Sequence, residues 1–196
     1  MEALSKCVSE LDIQQNSESA IRLGKYLIKS EPDYFREGAW LMALNNKSEI
    51  FDAVAEKVKR KIDVSHGFCS VKKREEIIDY AYILMKLSED KARRFLLAQI
   101  QRDIYDYLRV HMATVLLSVE DCSGYEILMD EMMKSLNDGK LNTNLSHEMD
   151  RFLSNSTPGE YYPRNDPQAM YLWYQKHKKD LLWDNKKYRM IHSKKL

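Results

Sequence analysis

Residues 103–136 contain two amphipathic stretches joined by a short polar turn, and this feature constrains the fold more than any other. In the first stretch the apolar residues recur at the helical period: Ile104, Leu108, Met112, Val115 and Leu116. The second stretch repeats the pattern: Tyr125, Leu128, Met129, Met132, Met133 and Leu136. Because neither helix can bury so wide a stripe alone, the pair has to stack against similar pairs. This predicts an all-α solenoid of about four to five stacked antiparallel helix pairs.

The composition agrees with a helical fold. The 196 residues include only six glycines and four prolines, so few positions favour turns. The apolar periods are close to 3.6 residues along the whole chain, and strand-like alternation is not evident. We therefore expect more than about half of the residues to be helical and essentially no sheet.

Further helices are predicted before and after this pair, within a single domain. The repeat core spans residues 17–139, preceded by an N-terminal cap helix at 1–16 and followed by a C-terminal helix pair with an aromatic cap at 140–196. Within the core, helical periodicity occupies residues 17–29, 34–45, 48–62, 72–87 and 88–100. Gly24 is expected to permit close approach of a neighbouring helix, and Ser30 with Pro32 is expected to start the helix at 34–45. Asp166 and Pro167 are expected to cap and open a late helix.

Two runs of the core resemble the first helix of a HEAT or HEAT-like repeat. Each has an Asp, then an apolar residue followed by Arg, and then Ala and Leu positions, with Arg36 and Arg109 in the same place. The resemblance implies a right-handed superhelix in which each arginine bridges to acidic groups of neighbouring repeats, with Asp33 and Asp106 as plausible partners or helix caps. We therefore interpret both arginines as structural.

The C-terminal sequence resembles the ending of many bacterial HEAT-like proteins. Trp173 lies in a helix, a lysine-rich turn follows, and Trp183 and Tyr188 belong to the last apolar segment. The resemblance implies that these three aromatic residues pack over the open end of the solenoid. Bulky amphipathic rings suit that position, because the last pair has no neighbour to cover it.

The charge balance and the cysteines limit which partners and which cellular compartment are expected. Basic and acidic residues are balanced at 31 and 30, although the segment from Arg164 onward carries a net charge of +6. Such a balance provides no global field to attract nucleic acid or an anionic membrane. Cys7, Cys69 and Cys122 are widely separated and odd in number, which indicates reduced thiols. Since no signal peptide or membrane span is evident, we expect a cytoplasmic protein without membrane contact.

No group of residues has a catalytic or metal-binding signature. His66 and Cys69 have the chemistry of zinc ligands, but no second ligand pair follows. His147-Glu148 lacks the second histidine of a zinc-protease helix, and no glycine-rich phosphate loop occurs. We therefore expect a protein that is not an enzyme and needs no cofactor or metal. A run of basic residues could contact phosphate, but without interleaved aromatic residues we interpret it as a solvated surface: Lys57, Lys59, Arg60, Lys61, Lys72, Lys73 and Arg74.

Two classes of function remain for such a solenoid. The first is a protein-interaction scaffold, serving as an immunity protein that occludes a toxin or as a regulatory adaptor, and monomeric or weakly dimeric. Its partner would bind the concave surface formed by the second helix of each pair, where the expected exposed residues are Asp52, Glu56, Arg93, Arg94, Gln99, Glu126 and Asp130. The alternative is nucleic-acid binding or DNA repair, as in some HEAT-like proteins. It ranks second because a duplex needs a strongly basic groove.

Overall fold

The computed structural model describes residues 18–63, 70–102, 106–117, 123–137, 166–184 and 189–192. These residues are predominantly helical, as expected. Their α-helices are α1 Glu18–Ser30, α2 Phe35–Leu44, α3 Phe51–Asp63, α4 Val71–Leu87, α5 Glu89–Ile100, α6 Asp106–Leu117, α7 Ser123–Asn137 and α8 Pro167–His177. Two four-residue strands follow, β1 Leu181–Asp184 and β2 Arg189–His192. The chain divides into two compact units, residues 1–103 and residues 104–196, here named unit 1 and unit 2.

Helix α4 lies at the centre of unit 1. It is the longest described helix, and it packs against α2, α3 and α5, while α1 packs against α2. Apolar residues on several of its faces are buried because it has neighbours on more than one side: Ile77, Tyr80, Ala81, Ile83, Leu84, Met85 and Leu87. Helices α3 and α5 each present a single buried stripe, as the sequence predicts for amphipathic helices.

Helices α1 and α2 approach closely at two glycines. A Cβ atom added at Gly38 would lie 2.8 Å from the backbone oxygen of Gly24 and 2.9 Å from the Cβ of Leu27. A Cβ at Gly24 would lie 3.1 Å from the backbone oxygen of Gly38. The expectation that Gly24 permits close approach is therefore confirmed, and Gly38 is its counterpart on the facing helix.

Helices α3 and α5 both pack against α4 and run parallel, and long side chains join them near both ends. Near the first turn of each, the ammonium group of Lys91 sits 5.7 Å from the ring centroid of Phe51. At the other end, Arg102 just after α5 forms an ion pair with Asp63, the last residue of α3. Contacts between the two starts and between the two ends require the same direction for both helices.

Unit 2 has its own core, built from α6, α7, α8 and the strands. Helix α7 packs against α6 and α8, and the rings of Tyr125 and Tyr174 meet with centroids 5.0 Å apart. The buried cluster has members from all these elements: Val110, Ala113, Leu117, Tyr125, Leu128, Met129, Met132, Met170, Tyr174, Leu181 and Met190. Since α7 and α8 share this core, the boundary expected between residues 139 and 140 falls inside unit 2.

The strands β1 and β2 form an antiparallel hairpin, so the expectation of essentially no sheet is wrong in this segment. Trp183 pairs with Met190, and Leu181 pairs with His192. Leu181 and Met190 are buried in the unit 2 core, whereas Leu182 is exposed. This is the alternation of a half-buried strand, but with two residues per face it is too short to stand out in the sequence.

The helix starts agree in part with expectation. Asp166 caps α8 through a 2.9 Å hydrogen bond accepted from the Ala169 amide, with Pro167 in the first turn, as predicted. Ser30, however, is the last residue of α1 and not a cap. Pro32 opens a short 3-10 turn, Pro32–Tyr34, that leads directly into α2. The predicted cap helix at 1–16, the whole segment at 140–165, Asp103 and Tyr188 lie outside the described residues.

None of the described helices is both long enough and apolar enough to cross a lipid bilayer.

Candidate functional site

Unit 1 has a cleft of about 620 Å³, here named the charged cleft. It is bounded by the turn Pro32–Tyr34, the start of α2, the second half of α3 and the first half of α4. Its lining is dominated by ionisable side chains: Asp33, Arg36, Glu37, Lys57, Lys61, Lys72, Glu75, Glu76, Asp79 and Tyr80, with Pro32 and Tyr34. Its volume falls in the range of small-ligand sites, but its walls are far more polar than is usual for them.

Arg36 crosses the cleft and joins two helices. Its guanidinium donates hydrogen bonds of 3.0 Å to Asp79 on α4 and of 3.0 Å to its neighbour Glu37. Partial burial opposes the charge of Arg36, but the hydrogen bond to Glu37 and the two nearby carboxylates outweigh this and raise its pKa. The predicted structural bridge is therefore present, although the partners are Asp79 and Glu37 and not Asp33.

A second ion pair closes another side of the cleft. Lys61 on α3 pairs with Glu76 on α4. Lys57, one turn earlier on α3, places its ammonium group 4.9 Å from the ring centroid of Phe35. These contacts join α2, α3 and α4 around the cleft. In each of them a basic side chain, Arg36, Lys61 or Lys57, interacts with another residue of unit 1.

Tyr80 is a mostly buried residue among those that line the charged cleft. It is 6% exposed, and its ring packs against Phe35 with centroids 6.1 Å apart and an interplanar angle of 63°. Burial is the main cause that raises the pKa of Tyr80 to about 12, and the charge of Glu76 adds to it. The side chain therefore stays neutral at physiological pH, and its hydroxyl makes no hydrogen bond to any described residue.

This cleft was not predicted from the sequence. Lys57, Lys61 and Lys72 belong to the basic run interpreted as a solvated surface, whereas the structure places carboxylates of α4 among them. One signal was present in the sequence. Glu75, Glu76 and Asp79 follow Lys72 by three, four and seven residues, so the four share one face of a helix whose other faces are buried.

The partner-binding residues predicted in unit 1 are brought to adjacent helices. Asp52 and Glu56 are exposed on α3, and Arg94 is exposed on the parallel helix α5, with Arg93 partly buried beside it. Three of them are restrained by their own helix. Glu56 accepts a 2.9 Å hydrogen bond from Arg60, Arg93 donates one of 2.9 Å to Glu89, and Arg94 donates one of 3.3 Å to the Asp90 carbonyl.

Gln99 is not an exposed residue, which corrects the prediction. It is only 7% exposed, because it follows Ala92 and Leu96 on the buried stripe of α5. Its side-chain oxygen accepts a 2.6 Å hydrogen bond from Arg102. Gln99 therefore helps to hold Arg102 against α3 and is not available on the surface of the unit.

The two predicted residues of unit 2, Glu126 and Asp130, are engaged within that unit. Lys178, just after α8, donates a 2.6 Å hydrogen bond to Glu126, which raises the pKa of Lys178. Asp130 is exposed on α7, and Tyr171 on α8 hydrogen-bonds to it. Partial desolvation of its carboxylate is nevertheless the largest cause acting on it and raises its pKa above the usual value. Lys178 of the basic C-terminal segment is thus already paired with Glu126, an acidic residue of α7.

The remaining predicted residues are structural or lie outside the described parts. Arg109 donates a 2.6 Å hydrogen bond to Glu131 on α7. The side chain of Asp106, its predicted partner or cap, lies outside the described parts. Trp173 packs on the unit 2 core and stacks with His177, with centroids 5.5 Å apart. His66 and Cys69 are not described, nor is the side chain of Trp183. Among the residues that the structure describes, no three His, Cys, Asp or Glu side chains are arranged to hold a metal ion.

Comparison of the chain with protein families, curated proteins and solved structures finds no match.

Proposed function

We propose that this protein is a non-enzymatic scaffold that binds a protein partner through the adjacent faces of α3 and α5. The surface, here named the α3–α5 face, is defined by Asp52, Glu56, Arg93 and Arg94. The observation that supports it is the parallel arrangement of the two helices, which side-chain contacts join near both ends. A HEAT-like superhelix would use equivalent helices in this way.

The charge pattern of the α3–α5 face favours a protein as the partner. Asp52 and Glu56 place acidic groups on one helix, while Arg93 and Arg94 place basic groups on the next. A protein surface can match both signs, whereas a nucleic acid carries only negative charge and cannot match Asp52 and Glu56. The ion pairs within each helix also limit side-chain motion, which lowers the entropy lost on binding.

The test is affinity capture with the full chain as bait, followed by quantitative mass spectrometry. The double variant Arg93→Glu with Arg94→Glu reverses the sign of the basic side of the face. The matched control is Lys179→Glu, because Lys179 is exposed in unit 2. Lys178 is unsuitable as a control, since its charge already interacts with Glu126.

The expected result is a protein captured by the unmodified chain and by Lys179→Glu, but lost by the double variant, with circular dichroism unchanged. Truncating one member of a close interfacial charge pair costs about 2 to 5 kcal/mol of binding free energy, which suffices to abolish capture. Retention by the double variant and loss by Lys179→Glu would contradict the proposal and point to the basic C-terminal segment. Steeply salt-dependent binding to duplex DNA, without any protein partner, would contradict the scaffold proposal and support nucleic-acid binding instead.

A further inference from the structure

One end of unit 1 gathers basic residues from three helices. Lys61 near the end of α3 pairs with Glu76 in the second turn of α4, and Arg102 just after α5 pairs with Asp63, the last residue of α3. These two ion pairs place the end of α3, the start of α4 and the end of α5 next to one another. The surface they form, here named the basic end, is defined by Lys59, Arg60, Lys61, Asp63, Lys72, Lys73, Arg74, Glu75, Glu76 and Arg102.

The positive charge of unit 1 is concentrated in the basic end. Residues 18–63 and 70–102 contain 17 basic and 13 acidic side chains. The basic end holds seven of the basic and three of the acidic ones, so the rest of these residues is balanced at ten and ten. The segment 64–69 between α3 and α4 contains no acidic residue. The excess of four positive charges therefore belongs to this one surface.

Ion pairs within the unit do not remove this excess. The three carboxylates of the basic end are already included in the count. Glu56, one turn before the basic end on α3, accepts a 2.9 Å hydrogen bond from Arg60. Counting Glu56 as a fourth acidic residue still leaves an excess of three positive charges. Lys59 and Lys72 are both exposed, and neither forms an ion pair with a described residue. The basic end thus keeps positive charge that is accessible to an anion.

The start of α4 is the part of the basic end that helix stability does not explain. Cations near the end of α3 stabilise that helix, because the C-terminus of a helix carries partial negative charge. In the first turn of α4 the dipole has the opposite sign, so Lys72, Lys73 and Arg74 oppose it, and no acidic residue compensates them there. A departure from such a local rule commonly marks a functional position. The other described helices of unit 1 each have an acidic residue in the first turn, namely Glu18, Glu37, Asp52, and Glu89 with Asp90.

The extent of the basic end favours a short acidic peptide over a nucleic acid. On α3, Glu56 and Asp52 precede Lys59 by three and seven residues, which is about 5 and 10 Å along a helix. On α4, Asp79 follows Arg74 by five residues, or about 8 Å. The phosphates of a DNA duplex would continue beyond so short a surface and meet these carboxylates. None of the residues that define the basic end is aromatic, so a single-stranded base would find no ring among them to stack on.

We propose that the basic end binds a short segment of another protein that is rich in Asp and Glu. Carboxylates of this segment accept charge-assisted hydrogen bonds from the lysine and arginine side chains. Those that lie near the start of α4 also interact favourably with its helix dipole, which offsets the repulsion present there in the free protein. Binding at the basic end does not require the α3–α5 face, so this inference goes beyond the proposed scaffold surface and can fail separately from it.

The experiment is an NMR titration of the full-length, ¹⁵N-labelled protein with the peptide acetyl-Glu-Asp-Glu-Asp-Glu-Asp-amide. The same peptide built from Gln and Asn is its uncharged counterpart. The first variant, Lys59→Gln with Lys72→Gln, removes two exposed cations from the basic end. The matched control, Lys29→Gln with Lys86→Gln, removes two exposed cations elsewhere in unit 1, so the two variants have the same net charge.

A third variant, Glu75→Gln, changes the charge of the basic end in the opposite direction. It removes an exposed carboxylate and so adds one to the excess of positive charge. Binding of the acidic peptide is expected to become about two- to fivefold tighter, which is the effect of one exposed charge interaction. Partial unfolding of a variant cannot produce such a gain in affinity.

The expected result is saturable binding of the acidic peptide, with shifts at the amides of the basic end and an affinity that falls as salt is added. The uncharged peptide gives no saturable shifts. Lys59→Gln with Lys72→Gln weakens binding about fivefold or more, whereas the control variant stays within about twofold of the unmodified chain.

Four outcomes would overturn the inference. They are equal loss of affinity in the two double variants, no gain with Glu75→Gln, no saturable shifts at the basic end, and equal binding of the uncharged peptide. Tighter binding of a short DNA duplex than of the acidic peptide, at the same salt concentration and with shifts at the same amides, would also overturn it. The basic end would then be a nucleic-acid surface.

Discussion

Arg109 on α6 and Glu131 on α7 form the most enclosed ion pair among the described residues. Their side chains are 15% and 11% exposed, and the guanidinium donates a hydrogen bond of 2.6 Å to the carboxylate. Arg36 occupies the equivalent place in α2, yet its partner Asp79 lies two helices further along, on α4. Arg109 therefore joins two consecutive helices, whereas Arg36 joins two helices that have another helix between them in the chain.

Replacing Glu131 by Gln is expected to destabilise unit 2 by about 3 kcal/mol, because it leaves the charge of Arg109 without its main compensation in a mostly buried place. Chemical denaturation followed by circular dichroism measures the change. Glu56→Gln is the matched control, since its ion pair with Arg60 lies on an exposed helix face and contributes less than about 0.5 kcal/mol. Equal effects of the two substitutions would show that enclosure of the Arg109 pair does not matter.

Gly38→Ala is expected to destabilise unit 1 by about 1 to 3 kcal/mol. The added methyl group would lie 2.8 Å from the backbone oxygen of Gly24, so α1 and α2 must move apart, and this outweighs the better helix propensity of alanine. Gly24→Ala is expected to cost less, because its nearest contacts are at 3.1 Å and one of them is the flexible side chain of Met42. Melting temperatures of the two variants give the order, and a more stable Gly38→Ala protein would contradict the close crossing.

Asp130→Asn is expected to stabilise the protein at neutral pH. Burial raises the pKa of Asp130 in the folded state above the ordinary value of 3.8, so the folded chain binds this proton more tightly than the unfolded chain. Ionisation of Asp130 therefore costs stability above its folded-state pKa, and the cost disappears as pH falls below 3.8. Urea unfolding at pH 7 and at a pH below 3.8 should show a gain only at the higher pH. A loss of stability at pH 7 would mean that the Tyr171 and Lys178 contacts outweigh burial.

Ending the chain after Gly159 is expected to disrupt unit 2. The deletion removes α8 and the hairpin, which supply Met170, Tyr174, Leu181 and Met190 to the shared core. Tyr125 and Met129 on α7 would then be exposed to water. Hydrogen exchange measured by mass spectrometry is expected to speed up across residues 106–137 while α4 and α5 keep their protection. Unchanged protection of α6 and α7 would show that the C-terminal segment is not part of their core.

The described helices were predictable because each carries its own period in the sequence. The stripe of α3, for example, has Phe51, Val54, Val58 and Ile62 buried, as its spacing predicts. The hairpin was missed because β1 and β2 have four residues each, too few for alternation to stand out. Gln99 was misplaced because a polar side chain is not expected on a buried stripe, and only the contact with Arg102 explains it.

The charged cleft was not predictable because it depends on residues that are distant in sequence. Arg36 and Asp79 are separated by 43 positions, and Lys61 and Glu76 belong to different helices. Local periodicity places each of these residues on a helix face but does not say which faces meet. A cavity between helices requires the tertiary arrangement, and with it the identity of the groups that remain unpaired.

The attachment of α5 to α3 at both ends has a mechanical consequence. With Lys91 held over Phe51 at one end and Arg102 held by Asp63 at the other, sliding of one helix along the other would break both contacts together. The two contacts therefore oppose sliding of α5 along α3. A molecule that docks on their outward residues would meet two helices whose offset is already restrained, which lowers the binding free energy lost in ordering them.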